Sequence, residues 1–315
     1  MNVVPAHVAV VGGGRWARVY LDVLDRMLPP EVSLSVHTRR GGDAIALWAA
    51  GRPARRVAIE QGAPAPCLGG VAIVANAAHD HGTAVRHLAQ AGIPALVEKP
   101  LAPSWDESRR LAGLAATARL APSQVFLFAG YIRNFAARVR RAGAVRSLSV
   151  VWSDPAGESR YGEVKRFDAT VPVQCDVLPH VVTILELLAP GAVTLVEARG
   201  SRDGLLAQMD LRAGDIPCLV RLERQGEARR RLIEAVTDTG TLQLDFAEEP
   251  GVIHQGGATD NADQEWATGP RPLSRMLQAF FAFAAGAADE RFDMALALRA
   301  AGLSDQVTQR LGFAQ

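Results

Sequence analysis

The feature that most restricts this chain is a glycine turn close to its start. Residues 7–11 form a short apolar run that leads into Gly12, Gly13, Gly14, Arg15, Trp16 and Ala17, after which Val19, Tyr20, Val23 and Leu24 recur at helical spacing. Strand, glycine turn and helix in that order are the context that gives a GxGxxG-type match weight. Gly12 permits the tight turn, Gly14 lets backbone approach a pyrophosphate, and Ala17 keeps the helix close to the strand while its N-terminus faces the phosphates. Gly13, Arg15 and Trp16 complete the turn and are expected at the same ligand. The alternative is a glycine turn that binds nothing.

The segments that follow alternate strand and helix, as a parallel, doubly wound sheet requires. A second strand, 32–37, ends in Thr38, Arg39 and Arg40 before Gly41-Gly42. A fold that prefers NAD would place an acid there to grip the ribose 2′-hydroxyl; a hydroxyl and two guanidiniums suit a 2′-phosphate, so the expected cofactor is NADP(H). The competing reading is two solvated arginines beside a turn. A short helix over 43–50 and a minor strand over 57–60 come next. A buried strand over 71–75 delivers Ala75 and Asn76 to its carboxyl end, and a helix over 80–91 follows. His79 and His81 lie one residue apart, but no carboxylates or thiolates at ligand spacing accompany them, so a place near the cofactor is favoured over a metal.

An apolar strand over 93–97 then presents Glu98 and Lys99 at the strand end where open α/β sheets keep their ligands, and Pro100 stiffens the exit. Ser104 followed by Glu107 marks the next helix start, which tethers Lys99 in a short connection from which it can reach a cofactor's reacting end. A plain surface Glu-Lys pair is equally compatible with the spacing. An Ala- and Leu-rich helix over 104–121 is expected to end at Pro122. The expected nucleotide-binding domain, of Rossmann type, therefore spans 1–122.

The second half, 123–315, changes rhythm. Strands are expected over 125–130, 145–152, 194–200, 205–211, 217–224, 232–237 and 242–246, with helices over 134–141, 181–188, 273–287 and 294–311. Leu205, Ala207, Met209 and Leu211 alternate with polar neighbours, so one face is buried and the other meets solvent or a partner. This is an α+β domain with a large, open, mainly antiparallel sheet, expected to bind substrate and to build a homodimer or homotetramer. Asp176 to His180 leads into an apolar helix; with Pro179 in the first turn the helix starts near Asp176 and brings His180 close to it. Asp176 as a simple N-cap and His180 as a buried core histidine remain alternatives.

With 315 residues, 49% hydrophobic and 21% charged, the chain is long enough for two cores, and a net charge of +1 argues against a nucleic-acid partner. No basic leader or bilayer-length apolar run is present, so a cytoplasmic location without membrane contact is expected. Cys67, Cys175 and Cys218 are odd in number and far apart, which suits small buried filler.

The combination of the glycine turn, Asn76-Ala77-Ala78-His79-Asp80-His81, Val97-Glu98-Lys99-Pro100-Leu101-Ala102 and Asp176-Val177-Leu178-Pro179-His180 resembles the glucose-fructose oxidoreductase, inositol dehydrogenase and MocA family (Gfo/Idh/MocA) over nearly the whole chain. The resemblance implies that Lys99 lies at the nicotinamide and substrate, that Asn76 and His81 line the cofactor, and that Asp176 and His180 belong to the substrate helix. This chain has Leu178 where sugar and inositol dehydrogenases usually carry glycine, and Pro179 before the histidine. A more apolar pocket is implied, with room for a ketone or an imine, as in the thiazolinyl imine reductases similar to this family.

The expected activity is hydride transfer between NADP(H) and a carbonyl or imine carbon of a small molecule. Reduction builds negative charge on the acceptor, so Lys99 is the expected cation and His180, oriented by Asp176, the general acid. A sugar or polyol dehydrogenase and a non-catalytic dinucleotide sensor are the rivals; a methyltransferase on the same turn would need neither Glu98-Lys99-Pro100 nor the second sheet.

Overall fold

The computed structural model describes residues 3–160, 163–164, 167–201 and 203–313. Met1 and Asn2, the first residues of the segment read for a leader, lie outside the described residues, as does part of the polar loop between 161 and 166. Two compact units emerge: Met1–Gln124 with Leu273–Leu298, and Val125–Pro272 with Arg299–Gln315. The expected division at residue 122 did not anticipate that Leu273–Leu298 groups with the first unit.

In the first unit β1 (His7–Val11), α1 (Arg15–Met27), β2 (Ser33–His37), α2 (Gly42–Ala50), β3 (Val57–Glu60), β4 (Gly70–Val74), α3 (Ala78–Gln90), β5 (Ala95–Val97), α4 (Trp105–Leu114) and β6 (Leu120–Pro122) alternate. The strands pair in parallel in the order β3-β2-β1-β4-β5-β6, so the chain starts mid-sheet and reverses direction between β1 and β4. Every residue of β4 is buried, as expected when helices cover both faces. The expected helix over 104–121 is corrected: α4 stops at Leu114 and Leu120–Pro122 forms the sixth strand. Pro122 is tolerated because β6 is an edge strand, where a missing donor breaks no ladder.

The second unit opens with a 3₁₀ turn (Val125–Phe128) and α5 (Gly130–Arg141), where a strand over 125–130 was expected. Phe126, Leu127 and Phe128 are all buried, and a short unbroken apolar run reads the same in a strand and in a buried turn. Then come β7 (Val145–Pro155), β8 (Ser159–Arg160), β9 (Glu163–Val164), α6 (Val173–Leu188), β10 (Val193–Gly200), β11 (Leu206–Ala213), β12 (Ile216–Gly226), β13 (Arg230–Thr237), β14 (Gly240–Asp245), β15 (Val252–Gln255) and β16 (Ala258–Asn261). β15 and β16 were not foreseen, although Gly256 and Gly257, both at positive φ, supply the two-residue turn such a hairpin needs. The large sheet runs β10-β11-β12-β7-β13-β14-β15-β16, antiparallel except where β12 lies parallel to β7. Along β11, Ala207, Met209, Leu211 and Ala213 are buried and Asp210 and Arg212 exposed. Two helices, α7 (Pro272–Ala284) and α8 (Met294–Leu311), finish the chain.

α6 starts earlier than expected, at Val173 after Pro172, so Pro179 lies inside it rather than in its first turn. Proline there withholds one donor from the helix ladder, and burial of the apolar residues on both sides of it, from Val173 to Leu188, outweighs that loss. Among the cysteines, Cys67 is exposed, contrary to expectation, whereas Cys175 and Cys218 are buried; burial pushes the Cys218 thiol up to about 12. No helix among the described residues is long and apolar enough to cross a membrane.

Candidate functional site

In the first unit, the carboxyl ends of β1, β2, β4 and β5 carry Gly12, Thr38, Ala75-Asn76 and Glu98-Lys99 to one edge of the sheet, with the topological switch between β1 and β4. Gly12 has φ +127°, and a β-carbon there would stand 2.8 Å from the backbone of Ala75 and Asn76. Any larger residue would force the β1 and β4 ends apart. Gly13 serves a different purpose: its β-carbon would lie 2.1 Å from the Arg40 carbonyl oxygen, so the first turn and the turn after β2 pack backbone against backbone. Gly14 is exposed and a β-carbon there would meet nothing within 4 Å. As the N-cap of α1 it offers no side-chain cap, so no capping side chain takes up the first amides of this 13-residue helix.

Two buried polar atoms beside that opening have no hydrogen-bond partner, Arg15 Nη1 and Asn76 Oδ1. Unsatisfied buried groups are costly, and a donor and an acceptor left unpaired at a strand-end crevice fit a polar ligand. Trp16 is half-buried, with the Arg15 guanidinium 5.9 Å from its ring centre, and Ala17 is fully buried. Arg39 and Arg40 are exposed; Arg39 pairs with Asp80 at 3.7 Å. The Thr38 hydroxyl is taken up by the turn: it donates to the Arg40 carbonyl and accepts from the Arg40 amide at 3.2 Å. It shapes the arginine-bearing turn.

Glu98 and His81 are more deeply engaged than their positions in sequence suggested. Glu98 is buried; its Oε1 accepts from the Tyr20 hydroxyl and from Ser123 Oγ at 2.9 Å, and its Oε2 accepts from the Lys99 amide at 3.1 Å. Burial, reinforced by the Glu98 carboxylate, holds the Tyr20 hydroxyl protonated well above the usual phenol range. Lys99 is half-buried at the head of this bracket. His81 is 1% exposed, with Nδ1 3.0 Å from the Pro100 carbonyl and Nε2 3.2 Å from that of Asn76, so it ties the turn after β4 to the turn after β5. Burial lowers its pKa below 6.5 against the opposing pull of those carbonyls. Tyr20 and Ser123 were missed: Tyr20 was read only as part of a helix's apolar face.

In the second unit, Asp176 and His180 lie on α6, four residues apart. Asp176 Oδ2 accepts from Arg224 Nη2 at 2.9 Å; Arg224, on β12, is buried and also donates to the Val171 carbonyl at 2.6 Å. Asp176 therefore anchors the head of α6 to the sheet. The half-buried His180 ring stacks on Trp152 of β7, with centroids 5.5 Å apart and planes inclined by 16°, and Phe126 meets it edge-on at 5.0 Å. The Arg231 guanidinium lies 3.8 Å from the Trp152 ring centre and is ion-paired with buried Asp154. None of Trp152, Arg224, Arg231 or Asp154 was singled out from sequence, although Arg224 falls in phase with buried Cys218, Val220 and Leu222, and Arg231 with Ile233 and Ala235. A charged residue on the core phase of a strand was the available signal.

No family model matches the chain, and no curated protein matches it. Solved structures do. A 3-ketoreductase from Actinomadura kijaniata, in complex with NADP and TDP-benzene, is 20% identical over 98% of both chains with a TM-score of 0.78. UDP-N-acetylglucosamine 3-dehydrogenase from Acidithiobacillus ferrooxidans is 17% identical over 98% of both chains, at 0.75. These likenesses establish the fold. A Rossmann-type unit followed by a mostly antiparallel sheet is an architecture the chain shares with two-domain oxidoreductases.

Proposed function

We propose that the protein is an NADP(H)-dependent reductase of the Gfo/Idh/MocA type, acting on the carbonyl of a keto-sugar or related small ketone. The observation that carries this reading is the crevice at the β1–β4 switch, where Gly14 leaves the head of α1 open and Arg15 Nη1 and Asn76 Oδ1 are buried without partners. The α1 amides would hold a pyrophosphate, and Arg39 and Arg40 a 2′-phosphate. The domain roles follow, with cofactor in the first unit and substrate in the second. The location proposed is the cytoplasm.

A bound NADPH supplies the hydride. In the proposed scheme Lys99 supports negative charge as it grows on the acceptor oxygen, and His180 delivers the proton that completes the alcohol. Glu98 holds the Lys99 backbone through its 3.1 Å bond from the Lys99 amide. His180 stands among Trp152 and Phe126, and with Leu178 and Pro179 beside it on the helix this favours a weakly hydroxylated acceptor over a polyol. That same apolar setting supports a second reading, reduction of a cyclic imine. The neighbours named for 3-keto and 3-hydroxy sugar chemistry support the first.

We also propose a homo-oligomer formed through the large sheet, whose face away from the core leaves Val196 54% and Leu219 44% exposed. An interface there should exceed roughly 1,000 Å² and survive sedimentation at micromolar concentration. The enzymatic reading is tested by titrating NADPH and NADH, then following loss of reduced-nicotinamide absorbance with a nucleotide-linked keto-sugar, a simple ketone, a cyclic imine and an inositol. NADPH binding with no turnover on any of them leaves the sensor reading; no binding of either cofactor removes both.

A further inference from the structure

His180 rests on a tier of buried groups that an ordinary sheet core does not need. Directly beneath it is Trp152, 7% exposed, with its ring nearly parallel to the imidazole. Opposite Trp152 in the β7–β13 register stands Arg231, whose guanidinium lies over the same indole. Arg231 is itself fixed by Asp154 Oδ1 and by the carbonyls of Ser153 and Arg230, each at 2.7 Å. Phe126 closes a further side, edge-on to both His180 and Trp152, and Phe246 meets Trp152 at 6.1 Å. The two charges of the Arg231–Asp154 pair are 2% and 3% exposed.

Stability alone does not account for this arrangement, because a buried ion pair roughly breaks even against well-packed apolar residues of the same volume. What such a pair does supply is a fixed geometry. A guanidinium held at several points cannot tilt, so the indole over which it lies has one plane, and a ring stacked on that indole inherits the plane. An imidazole held in this way presents its two nitrogens edgewise and cannot turn a face toward an acceptor.

We propose that Trp152, held by Arg231 and Asp154, is a positioning residue for His180, fixing the ring plane and hence the direction of its proton-bearing edge. This rests on the reading of His180 as proton donor for its consequence in catalysis, but not for the stacking itself. Trp152 touches His180 and is not assigned any contact with the reacting atoms.

The test uses the full chain and needs no known substrate for its first readout. The seven histidines give separate imidazole carbon-bound proton signals, and His180→Asn identifies the one that belongs to residue 180. In the unmodified protein that signal should be displaced upfield by the indole ring current. In Trp152→Leu it should move back toward the position of an unstacked histidine, and in Trp152→Phe it should move only part of the way. Should Trp152→Leu not fold, Trp152→Phe alone still reports the partial displacement. The second readout is single-turnover NADPH oxidation with the acceptor that the panel identifies, where Trp152→Leu should lose about 10²-fold and Trp152→Phe should recover most of it, with NADPH affinity unchanged.

A His180 signal that is not upfield-displaced, or that stays put in a folded Trp152→Leu, overturns the proposal. So does a displaced signal with an unaltered single-turnover rate. If no acceptor is turned over by the unmodified protein, the reductase reading falls, while the signal alone decides whether Trp152 fixes the ring.

Discussion

The two sites are built on opposite principles. At the switch point of the first unit the chain leaves things out: no side chain at Gly14, no cap on α1, and no partner for Arg15 Nη1 or Asn76 Oδ1. Around His180 on α6 in the second unit the space is filled by rings, with His180 against Trp152 and Phe126, and Asp176 nearer the head of the helix is held by Arg224, although Arg224 Nε and Gln174 Oε1 are also buried without partners. An opening lined with backbone amides suits a ligand whose phosphates are always the same. A filled, rigid floor suits one reacting group that must be held at one angle. The first unit should therefore lose binding when it is perturbed, and the second should lose rate.

The largest effect that could break this contrast concerns Lys99 and His180. Lys99→Met and His180→Asn should each lower single-turnover reduction by about 10²-fold or more while leaving NADPH affinity nearly intact. Loss of NADPH affinity in His180→Asn would show that the second site is part of the first. If His180 is only a core histidine, its replacement lowers the melting temperature and leaves turnover per folded molecule alone.

Next come two neighbouring glycines that should behave differently. Gly13→Ala drives a methyl group to 2.1 Å from the Arg40 carbonyl, which must shift, so the protein should lose about 1–3 kcal/mol of stability in denaturant unfolding. Gly14→Ala meets nothing within 4 Å and should keep its stability, yet NADPH affinity should fall about tenfold or more, because the methyl group occupies the approach to the α1 amides. An unchanged NADPH affinity in Gly14→Ala would mean that the opening at Gly14 is not the binding site.

A narrower effect, confined to the difference between the two cofactors, sharpens the choice between them. Arg39 and Arg40 are exposed, so each should contribute about 1.5 kcal/mol, the lower end for a charge-assisted contact, to the preference for NADPH over NADH. Fluorescence titration of the double alanine variant should show the two cofactors binding nearly alike. Equal affinities in the unmodified protein would remove the 2′-phosphate assignment.

How much of this could be read beforehand follows from how local each feature is. The glycine turn, the Asn76 and Lys99 strand ends and the His180 helix were legible because each motif needs only a few consecutive residues whose meaning is steric. Trp152 and Arg231 were not, because they become neighbours only through the β7–β13 register, and pairing partners far apart in sequence leave no local mark. The helix expected over 104–121 failed for another reason: alanine-rich sequence continues past Leu114 without telling that Leu120 and Ala121 pair with Ala95 and Leu96. Pro179 misled in the opposite sense, since a local rule against proline was overridden by tertiary burial of α6.

The smallest predicted effect asks whether the first site's scaffold is pH-sensitive. His81 ties the Asn76 turn to the Pro100 turn, and burial lowers its pKa below the ordinary 6.5 even though carbonyls at both nitrogens and Glu98 pull the other way. Above that value the ring is neutral in both the folded and the unfolded chain, and its contribution to stability is at its full level. As pH falls below 6.5 the unfolded chain takes up a proton that the folded ring still refuses, so stability declines until the folded value is reached, by at most about 1.4 kcal/mol per pH unit for each such group. His7 and His37, in the same unit, are lowered in the same direction, again chiefly by burial, and add with the same sign. Denaturant midpoints measured from about pH 7 down to about pH 5 should therefore fall, and His81→Gln should show a shallower slope than the unmodified protein. NADPH affinity should weaken over the same range, because a loosened His81 frees the turn that carries Asn76. Identical slopes in the two proteins would mean that folding leaves the His81 proton affinity unchanged, the carbonyls of Asn76 and Pro100 balancing burial.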